Sequence, residues 1–184
     1  MTEYPVIFSA PMVRAILEGR KTVTRRLPTP VWDAAYRWAS DRLAHAGDLR
    51  LWVRETWVAG WPASDGELHD TDEDGNQVPQ TIWYRADNDL QSWLNDETGW
   101  MDKPVPWRPS IHMPRWASRI TLDVVSMRKE RLQDIGEEDA AAEGCGGHVH
   151  RAQFRALWNS LHRKPGTTWN DDPEVYRIEF RRAS

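Results

Sequence analysis

The run Gly19-Arg20-Lys21-Thr22-Val23-Thr24-Arg25-Arg26 sets an amine and a hydroxyl three residues apart among arginines. Arg20 on one side and Arg25-Arg26 on the other make the local potential positive. Such a neighbourhood depresses a lysine pKa, and partial burial depresses it further. A lysine tuned this way can act as a base or activate a nearby hydroxyl, for which Thr24 is the candidate. A flat strand would point Lys21 and Thr24 to opposite faces. They converge only if the segment bends or keeps a helical turn after Gly19. The competing reading of the same run is a solvated basic loop.

Other chemistry-bearing residues are sparser. Cys145-Gly146-Gly147-His148-Val149-His150 offers three metal-ligand types in six residues, and Cys145 with His148 offers a nucleophile and base. No second Cys or His cluster supports a metal, so no metal and no cofactor is expected. Glu55, between Arg54 and Thr56 on a strand, is either the buried partner of an arginine or a pocket acid.

The elements that must position these residues follow from periodicity. Ser9 and Pro11 open a short helix whose apolar face is Met12, Val13, Ile16 and Leu17, and Gly19 stops it. A second helix is predicted between Trp32 and Ala46, then a Gly47-Asp48 turn. Leu49, Leu51 and Val53 alternate as a half-buried strand. Thr81–Arg85 and Ile120–Val125 read as further strands. The four prolines of residues 103–115 forbid regular structure there. Asp134 and Glu137 resemble a capping box for a helix through Glu143, closed by Gly144. Phe154, Leu157, Trp158 and Leu161 form a helical stripe, and Tyr176, Ile178 and Phe180 alternate in a terminal strand. Strands scattered among short helices without a repeated βαβ unit predict an α+β fold with a small mixed sheet or barrel.

The 184 residues suit one domain and hold no apolar run long enough to span a membrane. No secretory leader pattern follows Met1, and a single cysteine fits a reducing compartment, so a cytoplasmic location is expected. The formal charge of −4 is uneven. Residues 1–54 carry nine basic and five acidic side chains, residues 55–103 two and twelve, residues 104–184 thirteen and eleven. An acidic chain is poorly suited to gripping a long nucleic-acid backbone. Twelve tryptophans stand out. Trp52, Trp57, Trp83 and Trp116 sit in or beside strand-like runs and read as packed. Trp61, Trp93, Trp100, Trp107 and Trp169 lie among turn residues, where an aromatic can rim a pocket and stack on a nucleobase.

The run from Gly19 to Arg26 resembles the G-x-K-x-x-T-x-R signature of the ASCH superfamily, whose fold is a small PUA-like β-barrel with flanking short helices. The Gly47-Asp48 turn, the Ile120–Val124 strand, the acidic helix and the closing Tyr176-Arg177-Ile178-Glu179-Phe180 strand follow in matching order. The resemblance implies one ASCH-like domain over residues 1–184, with an acidic, Trp/Pro-rich insertion at about 58–110. Val53–Trp57 and Ile111–Ile120 are similar to longer phage-borne ASCH proteins. The relatives it points to are amidohydrolases that remove the acetyl group from N4-acetylcytidine. Carried over, their catalytic set becomes Lys21, Thr24 and Glu143, with Glu137 or Glu138 as alternatives for the last. In that reading Thr24 attacks the acyl carbonyl, or only positions the amide for water, while Arg26 or Lys21 favours the oxyanion. Arg26, Glu55 and Trp57 are the candidate substrate-binding residues. The expected partner is a small acylated nucleoside. The alternative is an RNA-binding or ribonuclease module in which the basic run holds phosphate.

Overall fold

The computed structural model describes residues 2–41, 49–62, 68–69, 81–87 and 107–183. Its strands and helices are β1 (Thr2–Ile7), α1 (Ala10–Leu17), β2 (Val23–Arg26), α2 (Pro30–Asp41), β3 (Leu49–Arg54), β4 (Trp57–Pro62), β5 (Leu68–His69), β6 (Thr81–Tyr84), β7 (Thr121–Arg131), α3 (Glu137–Ala142), α4 (His150–Leu161) and β8 (Glu174–Arg182). They fall into two compact units. The first comprises Met1–Val6, Ala15–Trp52 and Ile120–Ser184, the second Ile7–Arg14 and Val53–Arg119. No helix among the described residues is long and apolar enough to cross a membrane.

The first unit is built on a five-stranded sheet in the order β1-β3-β7-β8-β2. With short helices beside it, this is the mixed architecture that the element pattern predicts. β1 and β2 end the order, so among the described residues the sheet is open where a closed barrel was expected. Two strands escape the hydrophobic pattern. β1 alternates in burial, but Val6 is its one fully buried side chain, and β2 is the polar run itself, held by pairing of Val23, Thr24, Arg25 and Arg26 with Glu179, Ile178, Arg177 and Tyr176. β7 runs past the predicted Val125 to Arg131. A bulge shifts its register on β8 between Val124 and Ser126, and the polar stretch then stays paired as far as Arg131 opposite Glu174. A bulge exchanges the faces of the residues beyond it, which hides this half from any period-2 reading.

The helices show why their ends lie where they do. Thr29 caps α2, its Oγ1 accepting from the Trp32 amide at 3.3 Å, and Pro30 occupies the first turn. This start precedes the predicted Trp32 by two residues. The expected continuation to Ala46 and the Gly47-Asp48 turn lie outside the described residues. α3 is capped by the Gly136 backbone without a side-chain bond. Asp134 instead closes the 3₁₀ turn Leu132–Asp134, accepting from the Arg131 amide at 3.2 Å, so the expected capping box belongs to the preceding turn. On α4, Phe154 and Trp158 are buried, and with Leu132, Ile135, Ala140, Trp169 and Val175 they form one apolar cluster. Leu161, at the last position of the stripe, is exposed. Each large side chain of that cluster contributes roughly 1.5–3 kcal/mol by leaving water.

The second unit has a three-stranded sheet in the order β5-β4-β6, with Trp57, Val58, Ala59 and Gly60 paired to Tyr84, Trp83, Ile82 and Thr81. A lone bridge joins Trp57 to Arg108. The proline-rich stretch is described from Trp107, where it forms two 3₁₀ turns, Ser110–His112 and Arg115–Ala117. Trp57, Ala59, Met113 and Ala117 make the core. Most of the expected insertion, including its acidic stretch and the Trp93 and Trp100 side chains, lies outside the described residues.

Candidate active site

Lys21 is placed by the way α1 ends. Gly19 adopts φ +74°. Its amide donates to the Ile16 carbonyl at 3.0 Å and the Arg20 amide to the Ala15 carbonyl at 2.8 Å. These two bonds are a Schellman motif, which satisfies the last helical carbonyls and reverses the chain. The Lys21 amide also reaches the Ala15 carbonyl, at 2.9 Å, and the Thr22 amide donates to the Ala142 carbonyl at the end of α3. The bend that Lys21 needs is therefore supplied by the glycine-terminated helix end.

The Lys21 side chain is buried, 2% exposed, against Glu143 at 6%. Its Nζ donates to Glu143 Oε2, to the Glu143 carbonyl and to the Val23 carbonyl, each at 2.7 Å. Burial pushes the Lys21 ammonium below the ordinary lysine range; the Glu143 carboxylate opposes this and Arg26 adds to it. Glu143 occupies the C-cap of α3. Of the three candidate glutamates it is the one whose carboxylate meets Lys21, while Glu137 and Glu138 are exposed. Thr24 is buried on β2 opposite Ile178, on the strand that the ammonium touches through the Val23 carbonyl. Arg26 is half-buried; its guanidinium is pushed down by burial and supported by the Glu143 carboxylate.

Arg25 belongs to this cluster and was not a candidate from the sequence. Its side chain is fully buried. Nε donates to Glu130 at 2.8 Å, Nη2 to Asp139 at 2.6 Å and Nη1 to Glu143 Oε1 at 3.3 Å. Asp139 also accepts from Arg177 at 2.8 and 2.9 Å. The Arg177 and Arg25 guanidiniums hold its carboxyl well below the usual range, against the cost of burial. A signal existed. Arg25, Arg177 and Arg128 stand directly opposite one another across β2, β8 and β7. Like charges in that position repel, so carboxylates must lie between them, and Glu130 and Asp139 do.

Gly144 fixes how closely α3 approaches Lys21. It lies at φ +87°, and a Cβ there would stand 3.1 Å from both Ala15 Cβ and Lys21 Cβ. A side chain at positive φ costs roughly 1–2 kcal/mol before any crowding. Gly144→Ala is therefore expected to lower unfolding free energy by about 1–3 kcal/mol, read as a shifted urea midpoint. A midpoint within error of the wild type would show that the α3 end is not held this tightly.

The remaining candidates sit elsewhere. Glu55, in the second unit, is 1% exposed and receives Arg119 Nε and Nη2 at 3.1 and 3.2 Å. This is the arginine-partner alternative, and burial raises the Glu55 pKa. Arg119 also binds Asp87 at 2.6 and 2.8 Å and lies 3.9 Å from the Tyr84 ring centroid. Trp57 is buried in that unit's core, edge-on to Trp116 at 5.8 Å. Trp116, expected to be packed, is 63% exposed, whereas Trp169, expected on a loop rim, is buried in the α4 cluster. Each follows a polar residue, Arg115 or Thr168, in an irregular stretch, so tertiary packing and not local pattern separates them. Among the described residues no three His, Cys, Asp or Glu side chains gather as metal ligands. His150 Nδ1 donates to the Cys145 carbonyl at 3.0 Å, and burial pushes the Cys145 thiol up, away from thiolate. An open groove of about 540 Å³ runs beside α4, lined by Glu137, Arg151, Arg155, Asn159 and Trp169 among others. It is not lined by Lys21, Thr24 or Glu143.

No protein-family model and no curated protein matches the chain. Among solved structures, a high-resolution crystal structure of an ASCH domain from Lactobacillus crispatus JV V101 aligns at 15% identity and a TM-score of 0.34, covering 93% of this chain and 69% of that one.

Proposed function

We propose that the chain is an amidohydrolase that removes the acyl group from N4-acetylcytidine and related N4-acylated cytosine nucleosides. The observation that carries this reading is the buried Lys21–Glu143 contact at 2.7 Å, made between residues 122 positions apart. Amide hydrolysis needs a base for the nucleophile and an acid for the departing nitrogen. A lysine and a carboxylate in one desolvated contact supply both. Burial disfavours the Lys21 ammonium, and in this reading its proton passes from Nζ to Glu143 Oε2, leaving an amine as base and a carboxylic acid for the departing nitrogen.

The amine takes the proton of Thr24 Oγ1 as that oxygen bonds to the acyl carbon. The tetrahedral oxyanion is stabilised by the Arg26 guanidinium. Collapse breaks the carbon–N4 bond while Glu143 Oε2 protonates N4, releasing cytidine and leaving acetyl-Thr24. Water then adds to the ester, giving its proton to the pair. Acetate departs and Thr24 Oγ1 recovers its hydrogen. The sum is N4-acetylcytidine plus water giving cytidine plus acetic acid, which loses its proton to solvent as acetate.

In the RNA-binding alternative the basic run grips phosphate. The geometry favours it less, because Lys21 and Arg25 are already committed to Glu143, Glu130 and Asp139. The test is incubation with N4-acetylcytidine, with cytidine release followed by chromatography. Release that persists after EDTA dialysis is expected, since the Cys145 thiol is held away from thiolate and His150 Nδ1 is occupied. Loss on chelation with recovery on zinc would make Cys145, His148 and His150 candidate metal ligands and reject the metal-free mechanism. No release from the folded protein would reject the activity.

A further inference from the structure

Thr24 and Arg25 are adjacent on β2, so their side chains leave opposite faces of the strand. The chemistry above uses the first and not the second. Yet Arg25 is completely buried and reaches the same Glu143 carboxylate that Lys21 touches.

We propose that Arg25 is a positioning residue that fixes the Glu143 carboxylate, taking Oε1 so that Oε2 alone is presented to Lys21. This rests on the reading of Glu143 as the acid of the reaction. The guanidinium is planar and its nitrogens point in fixed directions. Two of them are anchored, Nε on Glu130 and Nη2 on Asp139, and the third, Nη1, is thereby aimed at Glu143. The anchors are themselves held. Arg177 binds both Asp139 oxygens, and Arg128 Nε donates to Glu130 Oε2 at 3.0 Å. The result is a chain of alternating charges from β7 and β8 to the end of α3. Without Arg25 the Glu143 carboxylate can turn about its terminal torsion, which is broad for a glutamate. The contact with Lys21 then no longer selects one oxygen. Misplacement of a catalytic group by about 1 Å can cost on the order of a hundredfold in rate.

A double-mutant cycle in kcat tests this. Arg25→Lys keeps a positive charge but cannot reach three carboxylates in one plane. It is expected to lower kcat for N4-acetylcytidine by about tenfold or more, with KM changed by less than about threefold, because the substrate does not touch Arg25. In a Glu143→Gln background the same substitution should change kcat by less than about twofold, since there is no carboxylate left to aim. An equal loss in both backgrounds would mean that Arg25 acts only through stability, and overturns the proposal. If Arg25→Lys fails to fold, Asp139→Asn loosens one anchor at a partly exposed position and should give a smaller loss, absorbed by Glu143→Gln in the same way; a loss it does not absorb overturns the proposal. Carbon NMR of the Glu143 carboxylate, identified by its disappearance in Glu143→Gln, supplies a readout independent of turnover. Its resonance should move in Arg25→Lys, and an unmoved resonance overturns the proposal. If the wild-type protein releases no cytidine, the amidohydrolase reading falls, while the NMR comparison still decides whether Arg25 holds Glu143.

Discussion

Replacement of Lys21 by arginine is expected to cost at least about a hundredfold in kcat/KM for N4-acetylcytidine, since general-base assistance is typically worth roughly 10²–10⁴. Arginine retains the positive charge and can still pair with Glu143. It stays protonated at neutral pH and can neither yield a proton to Glu143 nor take one from Thr24. The substitution therefore separates charge from proton transfer. It also tests the space, because Lys21 Nζ is enclosed by three oxygens at 2.7 Å and the larger guanidinium must displace one of them. Near-ultraviolet circular dichroism and a urea midpoint must accompany the assay. A folded Lys21→Arg protein with near-normal turnover would sink the mechanism.

Thr24 gives the same prediction a second arm. Thr24→Ala removes the hydroxyl and should be comparably poor, whereas Thr24→Ser keeps it and should retain activity. Because residues acting as one unit are non-additive, Lys21→Arg/Thr24→Ala should be little worse than either single variant. Product of the two losses instead of a shared one would place Thr24 outside the step that Lys21 assists.

Legibility in the sequence varied with how far the signal had to travel along the chain. The termination of α1 was legible because Gly19 acts on carbonyls three and four residues away, and β3, α4 and β8 were legible because their apolar faces repeat locally. β2 was not, since a run of Val-Thr-Arg-Arg reads as loop until β8 is laid beside it. The second half of β7 was hidden by the bulge after Val124. In the site, Lys21, Thr24 and Arg26 share one short run and stood out together, and Glu143 came from the resemblance alone. Arg25 lies in the same run, between Thr24 and Arg26, and does not stand out from it. Its meaning lies in three carboxylates at positions 130, 139 and 143, and only the register of β2 on β8 and the packing of α3 bring these to it. The alternations Arg128-Lys129-Glu130 and Arg177-Ile178-Glu179 put charges of opposite sign on one strand face, a local hint that this face is not simply solvated.

Truncation of Glu143 is expected to destabilise the protein more than truncation of Lys21. Removing one partner of a buried ion pair costs about 3–5 kcal/mol because the other charge remains in low dielectric. Glu143→Leu removes the carboxylate that Lys21 Nζ binds at 2.7 Å and one of the three carboxylates around Arg25, while the Val23 and residue-143 carbonyls remain on the ammonium. Lys21→Met leaves Glu143 still paired with Arg25 through Oε1, so its cost should be the smaller of the two. Urea unfolding of both variants gives the order directly. The pH dependence supplies the sign. Burial already holds the folded Lys21 pKa below its unfolded value of 10.5, and loss of the carboxylate lowers it further. A base with a depressed folded pKa weakens the fold wherever the unfolded chain binds the proton and the folded chain resists it. That penalty is largest below the folded pKa and fades as pH rises toward 10.5. The deficit of Glu143→Leu against the wild type should therefore shrink steadily between neutral and alkaline pH, and that of Lys21→Met should not follow the same course. A Glu143→Leu deficit that is flat across this range would mean that Lys21 does not carry its proton in the buried pair.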